Sequence, residues 1–193
     1  MQTSMSRERS FKLAFIGSHG VGKTTLCYGL AARLKARDIH LEMVREVARR
    51  CPLPINQDTN LAAQSWILHT QIAEELAAQS QYDAVLCDRS VLDNYVYLLL
   101  AAGPQPTLEG LVDNWMDSYD LLLHVPIVEA PSADGLRATD PTFQMAVDER
   151  LGLELERRGL KVHGLDTRRR EDWLDSAEQL VDETLRPPQL QLL

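Results

Sequence analysis

The chain has 193 residues, 45% hydrophobic and 25% charged, a balance that suits one soluble α/β domain with a sizeable core. A formal net charge of −8 gives no surface that attracts nucleic acid or anionic membranes as a whole, so neither partner is expected and a bound nucleotide needs a local positive hollow. The longest apolar run, from Val96 to Ala102, is too short to span a bilayer; Cys27, Cys51 and Cys87 lack a C-x-x-C pattern, which fits reduced thiols in a cytoplasmic protein.

Residues 1–10 are polar, lack the apolar stretch of a signal peptide, and are expected to be a disordered lead. The mostly apolar run 11–16 suits a buried strand. It enters Gly17-Ser18-His19-Gly20-Val21-Gly22-Lys23-Thr24, which fits G-x-x-x-x-G-K-[ST], the phosphate-binding P-loop. The glycines permit a turn tight enough to aim successive N–H groups at phosphate oxygens. In this pattern Lys23 reaches the β- and γ-phosphates and the Thr24 hydroxyl holds Mg²⁺. Thr25 continues into a helix whose N-terminal dipole favours an anion. Gly17, Ser18, His19, Gly20, Val21, Gly22, Lys23, Thr24 and Thr25 are thus candidate nucleotide-binding residues, with ATP and Mg²⁺ the expected cofactors. Leu26, Leu30 and Leu34 at helical spacing predict the helix over 23–37. A Rossmann loop is disfavoured, because the glycines at 17, 20 and 22 do not form G-x-G-x-x-G.

An alternating segment at 40–45 predicts an edge strand, followed by Glu46 and a loop where Pro52 and Pro54 break the chain. Asp58 or Thr59 caps a helix reaching about residue 80, with Leu61, Leu68, Ile72 and Leu76 on one face. Residues 83–88 form a buried strand ending in Asp88, and 91–102 an apolar helix stopped by Gly103-Pro104. Thr107 caps a helix that turns Leu108, Leu111, Val112 and Trp115 inward, and a buried strand follows at 119–125. Residues 126–140 carry Pro, Gly, Ser and Asp without periodicity, a loop and candidate lid. Asp140-Pro141 begins a helix striped by Phe143, Val147, Leu151 and Leu155. A last strand at 161–165 precedes a helix marked by Trp173, Leu174, Ala177, Leu180, Val181 and Leu185, which Pro187-Pro188 ends, leaving 187–193 as a tail.

Strands alternating with helices imply a three-layer P-loop NTPase domain over 11–186: a five-stranded parallel sheet, order 2-3-1-4-5, with helices on both faces. Ligands in such sheets lie beyond the C-terminal strand ends, which gathers the P-loop, Glu46, Asp88 and the loop after Leu165 on one rim. Asp88 ends an apolar strand, where a Mg²⁺-holding acid is expected; the alternative is an acid capping the next helix.

Asp88-Arg89-Ser90 resembles the D/E-R-[SYH] element of thymidylate and deoxynucleoside kinases, in which the arginine contacts phosphate or substrate. That resemblance implies a proton-accepting carboxylate at Glu46, with Asp88 its rival, and a base-reading glutamine on the helix after Pro54, where Gln71 matches better than Gln64 or His69. It also implies a lid arginine, Arg137 in Asp134-Gly135-Leu136-Arg137, and an adenine loop at Arg168, Arg169 and Arg170. Arg45, Arg49 and Arg89 are spare cations for an acceptor phosphate. Together with Arg45-Glu46-Val47-Ala48-Arg49, these elements make residues 11–186 resemble the P-loop kinase/ATPase group similar to the ribosylnicotinamide kinase domain of the bacterial NAD-biosynthesis regulator.

The leading expectation is a kinase that transfers phosphate from ATP to a small hydroxylated or nucleoside-like acceptor, and its rival is a partner-acting ATPase or nucleotide switch. A guanine-reading N/T-K-x-D is absent, which disfavours a GTPase, and AAA+ machines fit less well for want of a helical second domain.

Overall fold

The computed structural model describes residues 9–55, 59–129 and 140–185. Five parallel strands, β1 (Phe11–Ile16), β2 (Leu41–Val44), β3 (Ala84–Asp88), β4 (Leu121–His124) and β5 (His163–Gly164), lie in the order β2-β3-β1-β4-β5. Six helices cover them: α1 (Lys23–Lys35), α2 (Leu61–Gln81), α3 (Val91–Ala102), α4 (Pro106–Met116), α5 (Pro141–Arg157) and α6 (Trp173–Leu185). The expected fold and strand order are therefore present, and β2 is the edge strand that its alternating pattern predicts.

Strand residues alternate between two cores, as the pleat requires. Phe11, Leu13 and Phe15 of β1, with Ala84 and Leu86 of β3, pack on Leu26, Leu30 and Leu34 of α1 and Trp173, Ala177 and Val181 of α6. Ala14 and Ile16, with Val85 and Cys87, face Leu68 and Ala78 of α2, Val91 and Tyr95 of α3, Val112 and Met116 of α4, and Val147 and Leu151 of α5. Among the described residues, no helix is long and apolar enough to cross a membrane.

Local chemistry sets several element ends. Ser90 and Asp93 form a reciprocal capping box at the start of α3, Gly103 ends that helix at φ 73°, and the Asp140 carboxylate caps α5 through Thr142 N, with Pro141 in the first turn. Several ends differ from expectation, among them those of β4, which spans Leu121–His124 rather than 119–125. Asn60 caps α2, its Oδ1 accepting from Ala63 N at 3.0 Å, whereas Asp58 lies outside the described residues and Thr59 accepts instead from Gln64 Nε2 at 2.7 Å. Pro106, which has no N–H to satisfy, takes the first turn of α4, so Gln105 stands at the cap and Thr107 lies inside the helix. β5 is shorter than the expected 161–165, because His163 and Gly164 are the residues that pair with β4. The expected lead and tail at 1–8 and 186–193, and most of the expected lid, 130–139, lie outside the described residues.

The second core hides one charged residue of β1. Lys12 and Glu75 are both 0% exposed, with Lys12 Nζ 2.7 Å from Glu75 Oε2. The ammonium also lies 4.6 Å and 4.4 Å from the ring centroids of Trp115 and Tyr119, which solvate it through their π faces. Glu75 is saturated by three further donors: Trp115 Nε1 on Oε2 at 2.8 Å, and Gln71 Nε2 and Tyr119 Oη on Oε1 at 2.8 Å and 2.6 Å. Losing one partner of a buried pair strands the other charge. Lys12→Met is expected to cost roughly 3–5 kcal/mol in urea unfolding, and the Lys12→Met/Glu75→Gln double variant less than Lys12→Met alone.

Candidate functional site

The loop between β1 and α1 turns through three left-handed glycines, Gly17 at φ 134°, Gly20 at 77° and Gly22 at 96°. A Cβ on Gly17 would meet the Val125 carbonyl oxygen at 2.6 Å, so only glycine lets the exit of β4 lie against the loop. The Asp93 carboxylate holds the loop from α3, accepting from Gly17 N at 2.9 Å. From α5, Gln144 grips it twice: its carbonyl accepts from Ser18 Oγ at 2.7 Å, and its Nε2 donates to the His19 carbonyl at 2.8 Å. The His19 ring lies beside Phe143 and bonds Tyr97 Oη through Nδ1 at 3.1 Å.

Lys23 opens α1 and folds back over this loop, donating to the Gly17 carbonyl at 2.8 Å and to the Ser18 carbonyl. Its pKa is lowered to about 7, by burial first and then by the field of Arg89, against the opposing pull of Asp93, Asp88 and Glu46. An ammonium held in that state gains from a nearby polyanion.

Thr24 donates its hydroxyl to Asp88 Oδ2 at 2.6 Å, and Asp88 is only 3% exposed at the end of β3. These are two hard oxygen donors side by side, and no group of three or more His, Cys, Asp or Glu able to hold a metal exists among the described residues. That donor set fits Mg²⁺, which takes one or two protein oxygens and fills its other positions with phosphate and water.

Arg89 follows directly and is 4% exposed. Its Nε and Nη2 reach Glu46 Oε1 at 2.9 Å and 2.8 Å, and its guanidinium lies 4.9 Å from the Tyr97 ring centroid. Arg49 Nε donates to the other oxygen of Glu46 at 2.9 Å. The rim therefore joins the ends of β2 and β3 through ion pairs on Glu46, and the Thr24 hydroxyl on Asp88 ties in the start of α1. Arg89 holds this place with φ at 109°, a left-handed conformation that costs a side-chain-bearing residue roughly 1–3 kcal/mol.

The other expected residues lie as follows. Gln71 is fully buried, its Nε2 shared between Glu75 and the Arg89 carbonyl, the latter at 3.2 Å. Gln64 bonds Thr59, His69 bonds the Ser65 carbonyl on an exposed face, and Arg45 is exposed. Arg170 comes nearest the loop, with Nη2 4.0 Å from the Cβ position of Gly22, and pairs with Glu129; Arg168 and Arg169 pair with Asp166 and Asp172. Arg137 lies outside the described residues. Asp93, Tyr97 and Gln144 join the site without having been singled out from sequence, and Phe143 joins it from the apolar stripe of its helix, although the Ser90-x-x-Asp93 capping pattern was there to find.

Residues 12–172 match the family described as AAA domain. Among solved structures, a thymidylate kinase from Ehrlichia chaffeensis superposes with a TM-score of 0.60 at 16% identity, covering 93% of this chain and 100% of that one. A NadR protein in complex with NAD and AMP-PNP gives 0.67 at 22% identity, covering 92% of this chain and 50% of that one. A NadR protein in complex with NR gives 0.63 at 25% identity, covering 83% and 46%. This chain thus spans about half the length of the two NadR chains. No curated protein matches it.

Two outcomes follow for the free protein. With the folded Lys23 near 7 and the unfolded one near 10.5, the unfolded chain binds more protons between those values, so stability rises with pH across that window. Urea unfolding from pH 7 to 10 is expected to show wild type gaining on Lys23→Met. At position 89, glycine relieves the left-handed strain and alanine does not, so Arg89→Gly is expected to be more stable than Arg89→Ala by about 1 kcal/mol.

Proposed function

This chain belongs to the AAA domain family, and from that premise we propose that it transfers a phosphoryl group from ATP to a small hydroxylated or nucleoside-like acceptor. The observation that carries the reading is the pairing of two buried cations, Lys23 and Arg89, beside a glycine loop that only glycine can form. Phosphoryl transfer asks mainly for positioning and for charge to be neutralised on the moving group. Backbone N–H groups between Gly17 and Thr25 cradle the phosphates, and Lys23 leaves the loop carbonyls for the β- and γ-phosphate oxygens. Arg89 adds a second cation next to Lys23. Thr24 and Asp88 would hold Mg²⁺, which supplies charge neutralisation to the phosphates when bound.

The acceptor enters past Glu46 at the end of β2, where its hydroxyl finds a carboxylate for hydrogen bonding and proton acceptance. Arg89 and Arg49 hold Glu46 in place, and a carboxylate suffices for a loose transition state. The thymidylate kinase and NadR folds support this class of chemistry. A partner-acting ATPase is the second reading, favoured by the family's description.

ATP turnover measured with Mg²⁺ against a panel of nucleosides and nucleoside monophosphates tests the choice. The account expects ADP formation that depends on one acceptor, falling about 10²-fold or more in Lys23→Ala and about 10²-fold in Glu46→Gln. Hydrolysis of equal rate without any acceptor would favour the ATPase reading. Wild-type rates in Lys23→Ala would remove both.

A further inference from the structure

Arg89 is the rim residue whose placement the rim itself explains least. Its backbone sits in the left-handed region without being glycine, and its Nη1 is buried with no hydrogen-bond partner among the described residues. The tip is held by Nε and Nη2 on Glu46 Oε1 and by the Tyr97 ring, and the left-handed backbone behind it has supports of its own. The support comes from behind, through two backbone groups that neither the sheet nor a helix satisfies. The Arg89 carbonyl accepts from Gln71 Nε2 at 3.2 Å, and Val91 N donates to Tyr119 Oη at 3.0 Å. Both side chains are themselves fixed, because each donates to Glu75 Oε1, at 2.8 Å and 2.6 Å. Glu75 in turn is locked through Oε2 by Lys12 and Trp115. Burial, then the field of Glu75, pushes the Tyr119 phenol well above its ordinary pKa, so it stays protonated and keeps its donor.

We propose that Gln71 and Tyr119 are positioning residues for Arg89: fastened to the buried Glu75, they clamp the turn from Asp88 to Val91 in the left-handed form that sets the guanidinium on Glu46 and beneath Tyr97. The clamp touches no substrate. It reaches the chemistry only through Arg89, and its part in transfer rests on the phosphoryl-transfer reading above. Without it the peptide after Arg89 is free to relax towards negative φ, which swings the side chain out of its berth. Gln71 Nε2 and both Glu75 oxygens are bonded, although Gln71 Oε1 is buried without a partner among the described residues, and bonds of this kind inside a core favour one arrangement.

The test uses the full chain with arginine labelled by ¹⁵N. The Arg89 Nε–H signal is assigned by its loss in Arg89→Lys and followed in Gln71→Met and Tyr119→Phe, each of which keeps side-chain bulk and deletes one hydrogen-bonding arm. The expected result is a signal that shifts in both variants and exchanges with solvent about tenfold faster or more, as the berth opens locally. If both variants lose thermal stability while the signal keeps its wild-type position and exchange rate, Gln71 and Tyr119 are core filler and the proposal falls. Calorimetry of AMP-PNP with Mg²⁺ on wild type separates the two levels. Absence of binding there overturns the role of the clamp in transfer by removing the reading beneath it, whatever the Arg89 signal does.

Discussion

Lys23 and Arg89 are two buried cations held in each other's field, and the rest of the rim is arranged around that repulsion. Burial alone disfavours the charge on Lys23, and the neighbouring guanidinium deepens the cost. Three carboxylates offset part of it. Asp93 lies on the Gly17 amide, Asp88 on the Thr24 hydroxyl, and Glu46 directly on Arg89. Each acid also keeps a structural task, so none is free to neutralise the pair completely. In the proposed reading a triphosphate tail supplies the missing negative charge, with the loop amides as its cradle.

The fold makes such a concentration of charge tolerable by bringing strand ends together. β1 runs between β3 and β4, and its successors along the chain are a glycine loop and then α1. The central position puts the loop within reach of α3 through Asp93 and of α5 through Gln144, while Val125 at the exit of β4 closes against Gly17. The same sheet hides a second charged cluster on the α2 side, around Lys12 and Glu75. The two clusters meet at the turn after β3, where Gln71 and Tyr119 touch the backbone on either side of Ser90. The site is thus continuous with the core through hydrogen bonds as well as through packing.

What could be read from the sequence was the part governed by local rules. The glycine spacing announced the loop, apolar runs the central strands, and Gly103, Asp140 and Pro141 the helix ends, because caps and left-handed stops act within a few residues. Where two local signals competed, the wrong residue was favoured: Pro106 displaced Thr107, and Asn60 took the place given to Asp58 or Thr59. The rim position of Glu46, Asp88 and Arg89 was legible too, since parallel sheets place function at one end of the strands. Lys12 was not. It read as a polar interruption in an apolar strand, because Glu75, Trp115 and Tyr119 lie more than sixty residues away in the chain. The left-handed turn at Arg89 was equally hidden, for arginine carries no such preference and the bonds that hold it come from two distant helix and strand margins.

The central claim is that the Lys23 ammonium waits on loop carbonyls for a polyphosphate. A crystal structure of the full chain with AMP-PNP and Mg²⁺ tests it most directly. The account predicts that Lys23 Nζ leaves the Gly17 and Ser18 carbonyls for phosphate oxygens, with the triphosphate between Lys23 and Arg89 and the metal on Thr24. Nucleotide bound elsewhere, with Lys23 still on the Gly17 carbonyl, would contradict it.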